Sequence, residues 1–178
     1  MRYLAVLLVS VFAAVGLAAT TLLATSPAAE AAGGGDVRRC GGGKIFLNAD
    51  EKSTFALHNS ERRDRDLKPL CVHPDLQKAA RSHSDDMIRR DYFSHDTKGR
   101  NESSCERVRR FGYRWRACVE NVGYNSTPNR MFSAWMRSSG HRRNILNGKF
   151  REVGIGARTG NYNGSKTTMY TADFGARR

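Results

Sequence analysis

Two histidines and one glutamate stand where side chains could do chemistry. His141 opens a short turn in Ser138-Ser139-Gly140-His141-Arg142-Arg143-Asn144-Ile145-Leu146, just after Gly140 is expected to break an amphipathic helix carrying Met131, Phe132 and Trp135. His95 follows another expected helix end, in Tyr92-Phe93-Ser94-His95, and Glu120 lies between the two in Glu120-Asn121-Val122-Gly123. Imidazole titrates near neutrality and ligates metals, so a ring that a loop can aim from a helix end is a candidate site residue. Each residue also has a structural reading. His95 could bond loop backbone, Glu120 could accept from the amides of a neighbouring turn, and His141 could bond the last carbonyls of the preceding helix. Ser138 reads as a polar residue at the helix surface or end, Asn121 and Asn144 as structural hydrogen bonders, and Trp135, at helical spacing, as core.

The elements that must position these residues are mostly helical in the first half. Asn48-Ala49-Asp50-Glu51 has the acidic first turn of a helix start, and the helix should reach about Arg65 with Phe55 and His58 on one face and Arg62 close by. Leu67-Lys68-Pro69-Leu70 ends it, and Pro74 opens the next at its first position. Leu76, Ala79, Ala80, His83 and Met87 form the buried stripe of that helix, which makes His83 a core histidine with a satisfied partner. Ser103-Ser104-Cys105-Glu106 is a capping box; its helix turns Val108 and Phe111 inward and stops at Gly112. Thr127-Pro128 starts the helix that leads to Gly140.

Two strands close the chain. Apolar residues alternate with glycine in Val153-Gly154-Ile155-Gly156-Ala157, and Tyr170, Ala172 and Phe174 share a face between Thr168 and Gly175. The turn-rich segment Gly160-Asn161-Tyr162-Asn163-Gly164 joins them as an antiparallel pair. Helices first and a hairpin last make the fold α+β.

The compartment is expected to be outside the cell. Arg2 precedes an apolar run from Leu4 to Ala24, and Ala29-Glu30-Ala31 fits signal-peptide cleavage, which assigns residues 1–31 to a signal, 32–47 to a flexible Gly-rich linker and 48–178 to one domain. An uncleaved anchor is the alternative, because the run is long for a signal. Otherwise no membrane span and a monomer are expected. Four cysteines in an exported chain make two disulfides, and counting alone allows three pairings. We take Cys105 with Cys118, which closes a short segment leading to Glu120, and Cys40 with Cys71. The net charge of +13 favours anionic partners such as wall polymers or lipid headgroups. Much of it is a solvated surface, and no nucleic-acid motif or aromatic-interleaved basic stripe is recognised, so nucleic acid is not an expected partner.

His95, then Glu120-Asn121-Val122, then Trp135-Met136-x-Ser138-x-Gly140-His141-Arg142-x-Asn144-Ile145-Leu146 together resemble the bacterial branch of the CAP superfamily, which includes cysteine-rich secretory proteins, insect venom antigen 5 and plant pathogenesis-related proteins. Asn59-Ser60-Glu61-Arg62, His83-Ser84-x-Asp86-Met87, Phe111-Gly112-Tyr113 and Asp173-Phe174-Gly175 extend the resemblance over Asp50 to Gly175. It implies a three-layer α-β-α sandwich around a small antiparallel sheet. It also implies a cavity lined by His95, Glu120, Ser138 and His141, with His95, His141 and Glu120 as ligands of a divalent metal, zinc being the metal that suits these donors. The chain departs from the pattern at Ser138, where the family has a second acid, and at Ala172, where bacterial relatives commonly have glutamine.

Two functions follow from this. The first is a secreted, non-enzymatic module that binds a wall polymer, a lipid or a host protein. The alternative is a metal-assisted hydrolase with Glu120 as general base. No catalytic residue is assigned: the chain has no His-Glu-x-x-His, no Gly-x-Ser-x-Gly and no cysteine left over.

Overall fold

Glycine in alternate positions of one strand brings a helix unusually close to the sheet. That strand, β5 (Glu152–Tyr162), pairs antiparallel with β6 (Ser165–Arg177) in the computed structural model, which describes residues 33–177. A Cβ on Gly154 would fall 2.1 Å from the backbone carbon of Leu76, and one on Gly156 would fall 2.2 Å from the Ala80 carbonyl oxygen. Both neighbours belong to α2 (Pro74–Arg89), whose backbone lies directly on the glycine face. The alternation of apolar residues with glycine therefore has a steric meaning: one face of β5 is core and the other is a helix seat.

The remaining elements, in order, are β1 (Gly35–Arg38), β2 (Lys44–Leu47), α1 (Ala49–Arg63), β3 (Cys71–Val72), α3 (Ser104–Arg110), β4 (Trp115–Asn125), α4 (Pro128–Arg137) and α5 (Ser139–Ile145). The main sheet runs β3–β5–β6–β4. Its three long strands are antiparallel, and the two-residue β3 adds a parallel step through Cys71↔Glu152, so the sheet is mixed. The turn-rich linker proves shorter than expected. β5 and β6 run on to the Tyr162↔Ser165 pair, leaving Asn163 and Gly164 at φ 48° and 76°. Left-handed φ at both central residues is the tight hairpin geometry that Asn-Gly favours.

Helices cover both faces, giving the α-β-α arrangement. On one side α2 and α3 pack through Leu76, Ala79, Val108 and Tyr113. On the other, Phe132, Trp135, Ile145 and Phe150 meet Val153, Ile155, Ala172 and Phe174, with Phe55 and Leu57 of α1 against them. Trp135 is core, and its indole nitrogen donates to the Val122 carbonyl of the edge strand β4 at 3.1 Å.

Local signals explain where helices begin. Asn48 and Ser103 each close a capping box, with Glu51 and Glu106 respectively, and Thr127 accepts from the Arg130 amide. α1 stops at Arg63, two residues before the expected end. Arg62, fully buried, donates to the carbonyls of Lys68, Ile145, Asn147 and Phe150 and so ties the α5–β5 connection to α1.

Segment 32–47, expected to be a flexible linker, is instead structured from Gly35 to Leu47. β1 and β2 form a hairpin with Gly35↔Leu47 and Arg38↔Lys44 paired. Gly41, Gly42 and Gly43 all take positive φ in its turn, and the Cys40–Cys71 disulfide binds that turn to β3. Glycines that looked like tether composition are there for turn geometry. β4 was also absent from the sequence reading, which placed no strand around Glu120. The expected signal segment, 1–31, lies outside the described residues. Among those residues no helix is long and apolar enough to cross a membrane.

Candidate functional site

The site forms where α3, β4, the loop after α2 and the α4–α5 junction converge. Cys105 on α3 is joined to Cys118 on β4. Two residues further along each element stand Arg107 and Glu120, which form an ion pair with both side chains 1% exposed. Arg107 also donates to the His95 carbonyl at 3.0 Å and to Thr97 Oγ1 at 3.3 Å, so one guanidinium holds both the strand and the loop. A planar fork of donors suits that bridging task.

His95 completes the array. Its Nδ1–H donates to Glu120 Oε1 at 2.7 Å while the ring stays 55% exposed. That hydrogen bond is the main cause of a pKa raised above the usual histidine value; burial opposes it. With Nδ1 committed, Nε2 is the free nitrogen, the arrangement in which a carboxylate fixes a histidine's tautomer. Glu120, Ser138, Gly140, His141, Arg143 and Asn144 line a cleft of about 370 Å³ with His95. Asn144 donates to Asn121 Oδ1 at 2.8 Å and Asn121 donates to the His141 carbonyl at 3.1 Å, pinning α5 to β4. Both asparagines are structural bonders. Burial lowers the His141 pKa, and the nearby His95 adds to the effect.

Beneath the cleft lie two groups that sequence reasoning missed or underrated. His83 Nε2 donates to the Ser94 carbonyl at 2.8 Å and lies 4.0 Å from Glu120, but Nδ1 has no partner, so the expected satisfied core histidine is only half satisfied. Burial, then the charge of Arg107, lowers its pKa. Asp173 faces Glu120 across the β4–β6 ladder. Burial and the Glu120 charge raise its pKa well above the usual carboxylate range, which favours its neutral form. Arg107 was hidden among Arg109 and Arg110, with nothing in the spacing to separate the buried arginine from the exposed ones. Asp173 had a signal: it alternates with Ala172 and Phe174 in a strand buried on both faces.

The cleft does not fit the expected three-ligand metal centre. Both Glu120 oxygens are engaged, one by His95 and one by Arg107, and the second family acid is Ser138. The donor atoms of His95, Glu120 and His141 do not all come within 4.8 Å of one another; among the described residues the trio that does is Cys40, Cys71 and Glu152. Both of those sulfurs are consumed in the Cys40–Cys71 disulfide, which leaves a single carboxylate. Larger depressions lie beside that disulfide, about 620 Å³, and around the Glu51–Arg81 ion pair, about 520 Å³. Neither contains a histidine.

A model of the CAP family, described as the cysteine-rich secretory protein family, matches residues 55–174. The Bacillus subtilis protein YkwD is 38% identical over 111 residues, 62% of this chain and 43% of YkwD. A solved extracellular protein of Bacillus anthracis that contains an SCP domain superposes with TM-score 0.63 at 24% identity, covering 76% of this chain and 47% of that one. An outer surface protein of Borrelia burgdorferi superposes with TM-score 0.63 at 17% identity, covering 82% and 99%. These two structural likenesses show the fold. The chain spans less than half the length of the two Bacillus relatives.

Proposed function

We propose a function on one premise: the chain belongs to the CAP, cysteine-rich secretory protein, family. It works outside the cell as a non-enzymatic binding module, taking its ligand in the His95–His141 cleft and using its basic surface to approach an anionic partner. Its four cysteines form two disulfides, which suits an oxidising compartment, and the Bacillus anthracis relative is an extracellular protein.

The observation that carries this reading is the state of the cleft's acid. Glu120 is bound through both oxygens, and among the described residues no hydrogen bond joins the Ser138 hydroxyl to either imidazole. The cleft thus has groups that hold a ligand but no assembled nucleophile and base. A metal-assisted hydrolase would need Glu120 to take a proton from water, and its pairing with Arg107 opposes that. Zinc shared by His95, Glu120 and His141 would require the same pair to open.

The partner is a wall polymer, a lipid or a host protein, and the net charge of +13 favours the anionic ones. The test is retention of the purified full chain on isolated bacterial wall and membrane fractions, with His95→Ala/His141→Ala as comparison. Retention that falls steeply with salt and drops in the double variant is expected. Zinc-dependent hydrolysis abolished by Glu120→Gln would overturn the reading.

A further inference from the structure

We propose that the cleft between His95 and His141 is a receptor for a phosphate-type oxyanion, not for a divalent cation. This deepens the reading above and rests on the cleft being a binding site.

Most of the lining donates. His95 holds its Nδ1–H on Glu120, so its free Nε2 accepts, as from the O–H of a monoprotonated phosphate. The Ser138 hydroxyl makes no capping bond. The His141 ring and the Arg143 guanidinium, both at the cleft, have no hydrogen-bond partner among the described residues. Asn144 is committed to Asn121. A ligand entering therefore meets an arginine, two imidazoles and a hydroxyl. It meets no unpaired carboxylate, because the one acid in the lining, Glu120, is 1% exposed and closed by Arg107 and His95.

Charge points the same way. Arg107 sits behind Glu120 and cancels it, and Arg143 adds a positive charge at the rim. A dication would be repelled by the Arg143 guanidinium with no free carboxylate to compensate. An oxyanion would gain charge-assisted hydrogen bonds, which are shorter and about twice as strong as neutral ones. The geometry discriminates as well. A cation needs several lone pairs converging on one point, and no three His, Cys, Asp or Glu donors of this cleft come within 4.8 Å of one another. A phosphate group carries several acceptor oxygens pointing outward, so donors spread around a cleft can each reach one. A space of about 370 Å³ holds a phosphate and a small group attached to it. Free phosphate esters, polyol-phosphate polymers and phospholipid headgroups share this chemistry.

The experiment is a titration of the full-length exported protein followed by NMR, with inorganic phosphate, glycerol 3-phosphate and zinc as separate probes. Expected are shifts at His95, Ser138, His141 and Arg143 with both phosphates, and at least tenfold weaker binding in Arg143→Gln. Arg143 is exposed, so that variant should keep the fold; His141→Gln is the second variant. Two vesicle arms separate the sources. Tighter binding to phosphatidylglycerol than to phosphatidylcholine vesicles, at concentrations where glycerol 3-phosphate is silent, assigns a lipid headgroup; the reverse assigns a soluble polyol phosphate. Shifts confined to the exposed Arg109, Arg114 and Arg116, equal binding by Arg143→Gln, or zinc bound at His95 and His141 with phosphate unable to enter would each overturn the proposal. Wall retention that needs His95 and His141 while phosphate fails to bind would sink the oxyanion and leave the binding module standing. Phosphate bound in the cleft with retention unchanged in the double variant would do the opposite.

Discussion

Glu120 and Asp173 face each other across the β4–β6 ladder, and the two carboxyl groups have opposite fates. Glu120 meets the Arg107 guanidinium and the His95 ring, whereas Asp173 has an oxygen with no partner, and burial and the Glu120 charge push its pKa up toward the neutral form. Two like charges at this spacing in a dry interior are avoided by keeping one neutral.

Asp173 should therefore reduce stability at neutral pH. An acid whose folded pKa lies above its ordinary 3.8 binds more protons folded than unfolded, so stability falls as pH rises from about 3.8 through the folded pKa. Asp173→Asn keeps the shape and removes the titration. Thermal melts at pH 7 should show a higher Tm for the variant, with a smaller difference near pH 4. A lower Tm at pH 7 would mean that Asp173 works as an anion.

His58 should act in the opposite direction. It lies fully buried among Phe132, Trp135 and Phe174, donates from Nδ1 to the Thr54 carbonyl at 2.8 Å and leaves Nε2 without a partner. Burial pushes its pKa down to about 4 from 6.5. Between those values only the unfolded chain takes the proton, so stability is full above about 6.5 and is lost as pH falls to about 4, by about 3 kcal/mol at most. His58→Leu should flatten this acid limb in denaturant titrations. An unchanged limb would assign the acid sensitivity elsewhere.

Replacing Arg62 should be severe, because four backbone carbonyls depend on it. Arg62→Met leaves them without their donor and should destabilise by about 3–5 kcal/mol. Arg62→Lys should recover little, since an ammonium cannot span the same fork. Hydrogen exchange in residues 145–150 should rise in both variants. Full protection in the lysine variant would show that charge alone suffices.

Gly154 and Gly156 should not tolerate alanine, whereas Gly123 should do so more readily. The first two would press a methyl group into the α2 backbone at 2.1 and 2.2 Å, and at Gly123 the nearest atom, at 2.5 Å, is the flexible end of Met131. Overpacking against backbone should cost about 3 kcal/mol or more, against about 1 for Gly123→Ala. The Gly156→Ala variant should also shift NMR signals of His95, because α2 leads into its loop. Equal melts for all three variants would contradict the close helix seat.

The helical framework was legible in the chain because caps and glycine stops are local: Asn48, Ser103, Thr127 and Gly112 each act within a few residues. The sheet was less so. β4 carries polar residues such as Glu120 and Asn121 that are buried only because α3, the His95 loop and α5 close over them, and no period along the strand reveals that. His95, Glu120, Ser138 and His141 line one cleft. The electrostatic character of that cleft was not legible in the chain, because Arg107 comes from α3 and the Arg107–Glu120 contact is fixed only by tertiary packing and the Cys105–Cys118 bond.

The bond between Cys40 and Cys71 has a mechanical consequence. A pull on the chain ahead of Gly35 can unzip β1 only as far as Cys40 before tension passes into β3. β3 lies at the opposite edge of the sheet from β4, which carries Glu120. Shear would thus be borne at one border of the fold while the other kept its shape.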